Sequence, residues 1–174
     1  MQLPVVAEEL LELFDQSGLK VIDVMPRNIV YMLGLRNYRA VNGFIRHPIS
    51  RKLWIPRRTH TKKLFPGCLD MSVGGHVSFG ESDAEAFIRE SVEEINFFPD
   101  ALQNTLWRGR LSPYVHAVSS FMTVYEIISS KDPEYNPGDF CESMWLSPQE
   151  ILHRIEQGDP HKPDLPKLIR RFFL

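Results

Sequence analysis

The sequence contains few cysteines and no cysteine-based metal motif. Of its 174 residues only Cys68 and Cys141 are cysteines, and neither belongs to a Cys-x-x-Cys or Cys/His pattern with zinc-ligand spacing. The six histidines are scattered along the chain without metal-ligand spacing. A zinc site of the usual kinds is therefore excluded, and the thiols suit a reducing compartment.

The chain also lacks a strong net charge and long apolar runs. Its formal net charge of −2 argues against a nucleic-acid partner held by bulk electrostatics. No apolar run approaches membrane-spanning length, and no basic segment precedes the first apolar residues, so neither a membrane nor a leader segment is expected. With 43% hydrophobic residues, the sequence predicts one globular domain over residues 1–174 in a soluble cytoplasmic enzyme.

The most informative stretch is GHVSFGESDAEAFIRESVEEINF, residues 75–97. Ser82 followed three residues later by Glu85 forms a capping box, which predicts a helix that begins at Asp83. Residues at helical spacing are expected to form the stripe that faces the core; they are Ala84, Phe87, Ile88, Ser91, Val92 and Ile95.

Three acids of this helix, Glu90, Glu93 and Glu94, lie on a different arc, about 5–6 Å from one another. Like charges at that distance repel, and a divalent cation with oxygen ligands removes the cost. Arg89 lies one helical turn from Glu93 and can hold a carboxylate in place, and Glu81 can reach back to it. The alternative is an acidic surface helix with intrahelical salt bridges, which the preceding glycine loop argues against.

This stretch resembles the box of the Nudix hydrolases, Gly-x5-Glu-x7-Arg-Glu-U-x-Glu-Glu-x-Gly-U, where U is a bulky apolar residue. Two positions depart from it: Ser91 replaces an apolar residue, and Asn96 replaces the glycine that ends the helix. A serine can bond a carbonyl one turn earlier, and asparagine is the next best left-handed C-cap. The resemblance implies an α/β fold, the Nudix α/β/α sandwich with a mixed central sheet.

The rest of the chain alternates strand and helix patterns. Local propensity favours a helix in VAEELLELF, but a turn follows at residues 15–18, and the resemblance implies an N-terminal β-hairpin over residues 9–25. Helices are predicted over residues 27–35, from Pro148 to about Gly158, and from about Asp164 to the end. Strands are predicted at residues 38–47, 52–58, 106–111, 117–129 and 142–146, with a further strand leading into the box.

Residues 51–77 are similar to isopentenyl-diphosphate isomerases, which share the Nudix fold. Gly74 stands where those enzymes have their catalytic cysteine, Cys68 lies six residues earlier, and no histidine occurs in residues 20–40 to complete their metal site. Isomerase activity is therefore not expected. Arg58 and Lys62 match the residues that hold the diphosphate there, and their side chains suit phosphate oxygens.

The resemblance implies hydrolysis of a diphosphate linkage by water attack at phosphorus, with Mg²⁺ as cofactor and Mn²⁺ as an alternative. The expected metal ligands are Glu90, Glu94, the carbonyl of Gly74 and, directly or through water, Glu93. Glu90 is the first choice for the general base; the later acids Glu126, Glu134, Asp139 and Glu142 are alternatives. Arg89 and Glu81 complete the catalytic set.

The expected substrate is a small-molecule nucleotide: a nucleoside di- or triphosphate, a dinucleotide or a nucleotide sugar. A nucleotide-sensing domain without catalysis is the alternative, and a homodimer is one option for the assembly. His76 is expected to lie in a loop near the phosphates. Phe44 and Tyr114 are candidates for a wall facing the base, and Trp54, Trp107 and Trp145 are assigned to the core.

Overall fold

A computed structural model describes residues 8–97 and 104–174. Within those ranges no helix is both long and apolar enough to cross a membrane. Residues 1–7, where the sequence predicts no leader segment, lie outside the described residues.

The described chain opens with the predicted hairpin. Strands β1 (Leu10–Phe14) and β2 (Val21–Pro26) pair antiparallel, and helix α1 (Arg27–Met32) follows directly. The Asp15 carboxylate fixes the turn, because it accepts hydrogen bonds from the Ser17 hydroxyl and from backbone N–H groups further along the turn. This local bonding outweighs the helical propensity of VAEELLELF (residues 6–14) in its described part, residues 8–14. Helix α1 ends three residues before the predicted boundary.

The central sheet is mixed and contains six strands within residues 8–97 and 104–174. They are β3 (Arg39–Arg46), β4 (Leu53–Arg58), β5 (Val73–His76), β6 (Thr105–Leu111), β7 (Phe121–Ile128) and β8 (Phe140–Leu146). Their order is β6-β7-β3-β4-β8, with β5 also paired to β3. Strand β3 runs parallel to β7 and antiparallel to β4 and β5. The predicted strands are confirmed, with boundaries shifted by a few residues.

One edge of β3 is shared by two partners. Its first half pairs with β5 from Ala40 to Gly43, and its end pairs with β4 at Ile45 and Arg46. At the change of partner the buried Ser72 hydroxyl accepts from the Ile45 N–H (2.9 Å) and donates to the Trp54 carbonyl (2.6 Å). The sheet therefore divides beyond this point, and residues at the end of β4 and on β5 line the cleft described below.

Helices cover both faces of the sheet. Helix α2 (Asp83–Ile95) packs on one face, and α3 (Pro148–Glu156) and α4 (Leu165–Phe172) pack on the other. Alternation along the strands supplies both cores, since Trp54 points to the α2 side while its neighbours Leu53 and Ile55 point to the other. The two capping boxes are present, and α3 ends two residues before Gly158. The α/β sandwich and the mixed sheet are confirmed.

The α2 stripe was predicted imperfectly. Ala84 is exposed, whereas Ala86, Phe87, Ser91 and Ile95 are buried together with the acid Glu94. Compared with the predicted stripe, α2 turns the side of Glu94 toward β5, so this carboxylate belongs to the buried side of the helix. The two box departures behave as predicted: the Ser91 hydroxyl bonds the Phe87 carbonyl (2.7 Å), and Asn96 caps the helix in the left-handed conformation.

Several aromatic residues were also placed wrongly. Phe44 is fully buried in the core under α3 and α4, so it cannot face a base. Tyr114 packs edge-on against Phe121 and does not line the cleft described below. Trp54 is buried as predicted and Trp145 packs partly buried against the α2-side core, but Trp107 is 64% exposed on the edge strand β6.

Candidate active site

Helix α2 is joined to strand β5 by two hydrogen bonds. The Arg89 guanidinium donates to the His76 carbonyl (2.9 Å), and the Gly74 N–H donates to the Glu94 carboxylate (2.9 Å). Between these points Gly75 has no side chain, and a Cβ there would lie 1.9 Å from Glu90 Oε1. The box glycine is therefore needed so that the helix can bring Glu90 against the strand.

Arg89 organises the box acids. Its guanidinium holds Glu81 through two hydrogen bonds, 2.9 and 3.0 Å long, and donates a third to Glu90 (2.6 Å). The Nη1 atom of Arg89 also lies 3.5 Å from a carboxylate oxygen of Glu93. Glu81 also accepts from the Ser78 N–H, which fixes the loop that precedes the helix. Arg89 thus separates the acids and aims Glu90 at the strand.

The three helix acids differ in electrostatic environment. Burial raises the pKa of Glu90 to about 7, despite the opposing charge of Arg89. Burial, together with the nearby carboxylates of Asp70 and Glu90, raises the pKa of Glu94 well above its ordinary value. For Glu81, burial is outweighed by the hydrogen bonds from Arg89, which keep its pKa below the ordinary value. Glu93 remains mostly exposed.

Basic residues form the opposite wall. Arg58, at the end of β4, contacts the buried Asp70 at 2.8 Å, and Lys162 contacts the other oxygen of the same carboxylate at 3.1 Å. Lys62 pairs with Asp139. Arg58 and Lys62 therefore line the site, as the sequence predicted, while Asp70 and Lys162 were missed. Lys162 lies 88 positions after Gly74 in the printed sequence, and no local pattern marks it.

A second group that was not predicted closes the N-terminal side of the site. Glu9 contacts both Arg27 (3.2 Å) and His76 (3.5 Å), and His76 shares a 2.7 Å hydrogen bond with the Tyr31 hydroxyl. Burial opposes ionisation of Glu9, but the hydrogen bond with His76 and the charges of His76 and Arg27 lower its pKa to about 2. His76 lines the cleft, but it is the last residue of β5 and not a loop residue as expected, and its imidazole joins the hairpin to the box.

These walls enclose a cleft of about 430 Å³. That volume lies in the range typical of small-molecule sites. Glu90, Glu93, Glu94, Gly74 and Arg89 line it together with the basic residues, whereas Glu81 supports Arg89 from outside the lining. Of the four later acids offered as alternative bases, only Asp139 lines it. Glu126, for example, is fully buried and paired with Arg46 and Arg108.

The donor set suits a hard divalent cation. Among the described residues no three His, Cys, Asp or Glu side chains form a ready-made metal cage. Magnesium, however, is usually bound by one or two carboxylates while phosphates and water complete its octahedron. Glu90 and Glu94 offer such oxygens, and the raised pKa of Glu94 shows a buried acid without enough positive charge around it. The residues present therefore fit Mg²⁺.

Comparisons with known proteins agree with the fold and the box. The family model described as NUDIX domain matches residues 36–172. An uncharacterised Nudix hydrolase of Nostoc sp. is 45% identical over 165 residues, which cover 95% of this chain and 96% of that protein. A Nudix hydrolase of Deinococcus radiodurans is 47% identical over 137 residues, 78% of each chain.

Solved structures show the same relationship. The crystal structure of DR0079 from Deinococcus radiodurans superposes with a TM-score of 0.88 at 41% identity, covering 95% of this chain and 100% of that one. A MutT protein from Methanosarcina mazei shares the fold alone, with a TM-score of 0.61 at 20% identity, 77% of this chain and 91% of that one. The chain belongs to the Nudix family and is an enzyme of the Nudix hydrolase type.

Proposed function

We propose that the protein hydrolyses a diphosphate linkage in a nucleotide-type substrate, with Mg²⁺ as cofactor. The substrate class is a nucleoside di- or triphosphate, a dinucleotide or a nucleotide sugar. The observation that carries the proposal is the position of Glu94. This acid is 8% exposed and lines the cleft with Glu90, and the same cleft is also lined by Arg58, Lys62 and Lys162.

In this proposal the box residues hold the cofactor. Glu90 and Glu94 would bind Mg²⁺ together with the Gly74 carbonyl, and the exposed Glu93 would act through water or as a further ligand. When bound, the ion neutralises phosphate charge and lowers the pKa of water. Arg89 and Glu81 keep Glu90 in position through the hydrogen bonds described above.

The basic wall would bind the diphosphate. Arg58 offers a planar fork of donors and Lys62 a mobile ammonium, and both line the cleft opposite the acids. In this proposal the diphosphate would lie between the acids and these cations.

Glu90 is our choice for the general base. Its carboxylate lines the cleft and is held in position by the hydrogen bond from Arg89, which is the placement that a general base needs. Of the four alternative bases, Asp139 lines the cleft. Its carboxylate, however, is already paired with Lys62 and is therefore less available to accept a proton from water.

The isomerase alternative has no support from the geometry. Burial and the neighbouring Asp70 carboxylate raise the pKa of the Cys68 thiol, which disfavours a thiolate nucleophile. Cys68 does not line the cleft, and Gly74 provides no side chain in its place.

The test is a phosphate-release screen over nucleotides, nucleotide sugars and dinucleotides, with Mg²⁺ and with a chelator. We expect turnover that requires Mg²⁺ and falls about 10²–10³-fold in Glu94→Gln, a loss typical of removing one preorganised electrostatic group. Glu156→Gln makes the same change at an exposed position on α3 and should keep full activity.

Full activity in Glu94→Gln would refute the assignment of the metal ligands. Tight binding of a nucleotide without turnover in the wild type would instead favour the sensing function. Circular dichroism of each variant shows that the fold is retained before its activity is compared.

A further inference from the structure

The N-terminal hairpin lies outside the part of the chain that the family model matches. That match covers residues 36–172, and both strands of the hairpin precede it. Strand β1 nevertheless contacts the loop that leads into α2. Leu11 forms an antiparallel bridge with Ser78, and the Leu10 carbonyl accepts from the Phe79 N–H (2.8 Å). The hairpin is therefore hydrogen-bonded to the loop that carries the first acid of the box.

Arg39, the first residue of β3, connects the hairpin to the start of α2. Its guanidinium donates to the Glu12 carboxylate on β1 (2.7 Å), to the Asp83 carboxylate (2.9 Å) and to the Glu81 carbonyl (3.0 Å). The Arg39 side chain is only 16% exposed, so these charge-assisted bonds form largely away from water. The second oxygen of Asp83 accepts from the Thr123 hydroxyl (2.6 Å). The start of the helix is thus held from both the hairpin and the sheet.

Glu81 extends this network into the active site. Its carbonyl accepts from Arg39, while its carboxylate accepts two hydrogen bonds from Arg89. Arg89 in turn donates to Glu90, the acid that we assign to the metal and to the general base. The backbone of one loop residue is therefore fixed by the hairpin side, and its side chain fixes the guanidinium that holds Glu90. Glu12 and Glu90 are connected through this series of contacts.

We propose that Glu12 and Arg39 are positioning residues for the hydrolysis. They fix the Glu81 backbone, so that its carboxylate holds Arg89 and, through it, Glu90. Neither Glu12 nor Arg39 lines the cleft, so neither contacts the substrate. Their loss should therefore lower kcat and leave KM nearly unchanged. This inference rests on the proposed function, because it assumes that Glu90 takes part in the reaction.

The kinetic test compares Arg39→Met with Arg108→Met. Methionine is unbranched and apolar, so it fills space but makes none of the hydrogen bonds of arginine. Arg108 is a matched control outside the cleft, because it also bonds one carbonyl, that of Phe172, and one carboxylate, that of Glu126. Glu126 keeps Arg46 as a partner in this control.

The two variants are compared in saturating Mg²⁺ with the nucleotide that shows the highest turnover in the phosphate-release screen. Arg39→Met should lose about 10- to 100-fold in kcat, since a small displacement of a reacting group has effects of that size. Its KM should stay within about twofold of the wild type. Arg108→Met should keep both constants.

Two further variants separate positioning from general stability. Arg39→Lys keeps a positive charge beside Glu12 but lacks the rigid fork of donors, so it should recover only part of the lost kcat. Glu12→Gln keeps an acceptor oxygen but removes its charge, which weakens the bond from Arg39. Its kcat should fall about threefold or more while the far-ultraviolet circular dichroism stays native. This milder variant carries the test if Arg39→Met does not fold.

Hydrogen exchange in the metal-free protein gives a readout that does not depend on turnover. The Phe79 N–H is bonded to the Leu10 carbonyl and the Glu81 N–H to the Ser78 carbonyl (3.0 Å). Amide groups exchange faster when the contacts that hold them open more often. Both amides should exchange at least about 10-fold faster in Arg39→Met, and at the wild-type rate in Arg108→Met, as followed by nuclear magnetic resonance.

The two proposals fail in different ways. If the wild type releases no phosphate from any nucleotide in Mg²⁺, the proposed function is wrong and the positioning role with it. If the wild type is active while Arg39→Met, or Glu12→Gln where the first variant does not fold, keeps kcat within about twofold, hydrolysis stands and the positioning role is refuted. An equal loss of kcat in Arg108→Met would also refute it, because the loss would then reflect general stability.

Discussion

The burial of Glu90 predicts that the metal-free protein loses stability as the pH rises. Its carboxyl has a pKa of about 7 in the folded chain against an ordinary value of 4.5. Between these two values the folded state therefore binds more protons than the unfolded state. The stability that comes from protonated Glu90 is fully present below pH 4.5 and is lost as the pH rises to 7. At 1.36 kcal/mol per pKa unit, the loss is about 3 kcal/mol.

Glu90→Gln isolates this contribution. The glutamine amide oxygen can still accept the hydrogen bond from Arg89, but the side chain no longer ionises. In a chelating buffer, the free energy of unfolding of the wild type should fall by about 3 kcal/mol more than that of the variant between pH 4.5 and 7.5. Urea denaturation followed by tryptophan fluorescence measures both curves, and Glu156→Gln should follow the wild type.

Magnesium should reverse the difference. Metal binding requires ionised carboxylates, so Mg²⁺ should stabilise the wild type more at pH 7.5 than at pH 5, and should stabilise Glu90→Gln little at either pH. Parallel stability curves for the wild type and Glu90→Gln in the chelating buffer would show that Glu90 ionises freely, and the electrostatic description of the site would be wrong.

Three further changes test other parts of the site. Gly75→Ala should abolish most of the phosphate release while the far-ultraviolet circular dichroism stays native, because the added Cβ displaces Glu90; a fully active variant would contradict the strand–helix contact. Glu9→Gln should lower the free energy of unfolding at neutral pH by up to about 2 kcal/mol, a figure that is reduced for solvent screening. The stability curves of the variant and the wild type should converge as the pH falls toward the folded pKa of Glu9, about 2. A constant difference between the two curves down to that pH would contradict the role of Glu9. Ser72→Ala should lower the free energy of unfolding by about 1–3 kcal/mol in urea, since the buried Ile45 N–H loses its partner, and an unchanged midpoint would show that water replaces the hydroxyl.

Local signals in the sequence were sufficient for the helices and most strands. The capping boxes at Ser82 and Ser147 act over three residues, so they mark helix starts without knowledge of the rest of the fold. The spacing of the box likewise predicted that Arg89 lies close to Glu81 and to the acids of the helix. The stripe of α2 could not be predicted as well, because the burial of Glu94 depends on the Gly74 N–H of a separate strand.

The parts of the site that were missed depend on long-range contacts. Lys162 reaches the site from a loop before α4 and meets Asp70 only in the folded chain. Asn42 reads as an ordinary residue within β3, and only the folded chain brings it to the lining of the cleft. Phe44 shows the reverse error, since alternation along β3 sends it to the core instead of toward a base.

The two hydrogen bonds between α2 and β5 make a helix and a strand into one rigid unit. Gly74 and His76 are held at either side of Gly75, so the positions of Glu90, Glu93 and Glu94 relative to β5 are set within that unit. Leu64 and Phe65 line the cleft outside it, so they can change in size or polarity and alter which molecules enter while these three acids keep their positions. Selectivity and reactivity can accordingly be engineered one at a time in this chain.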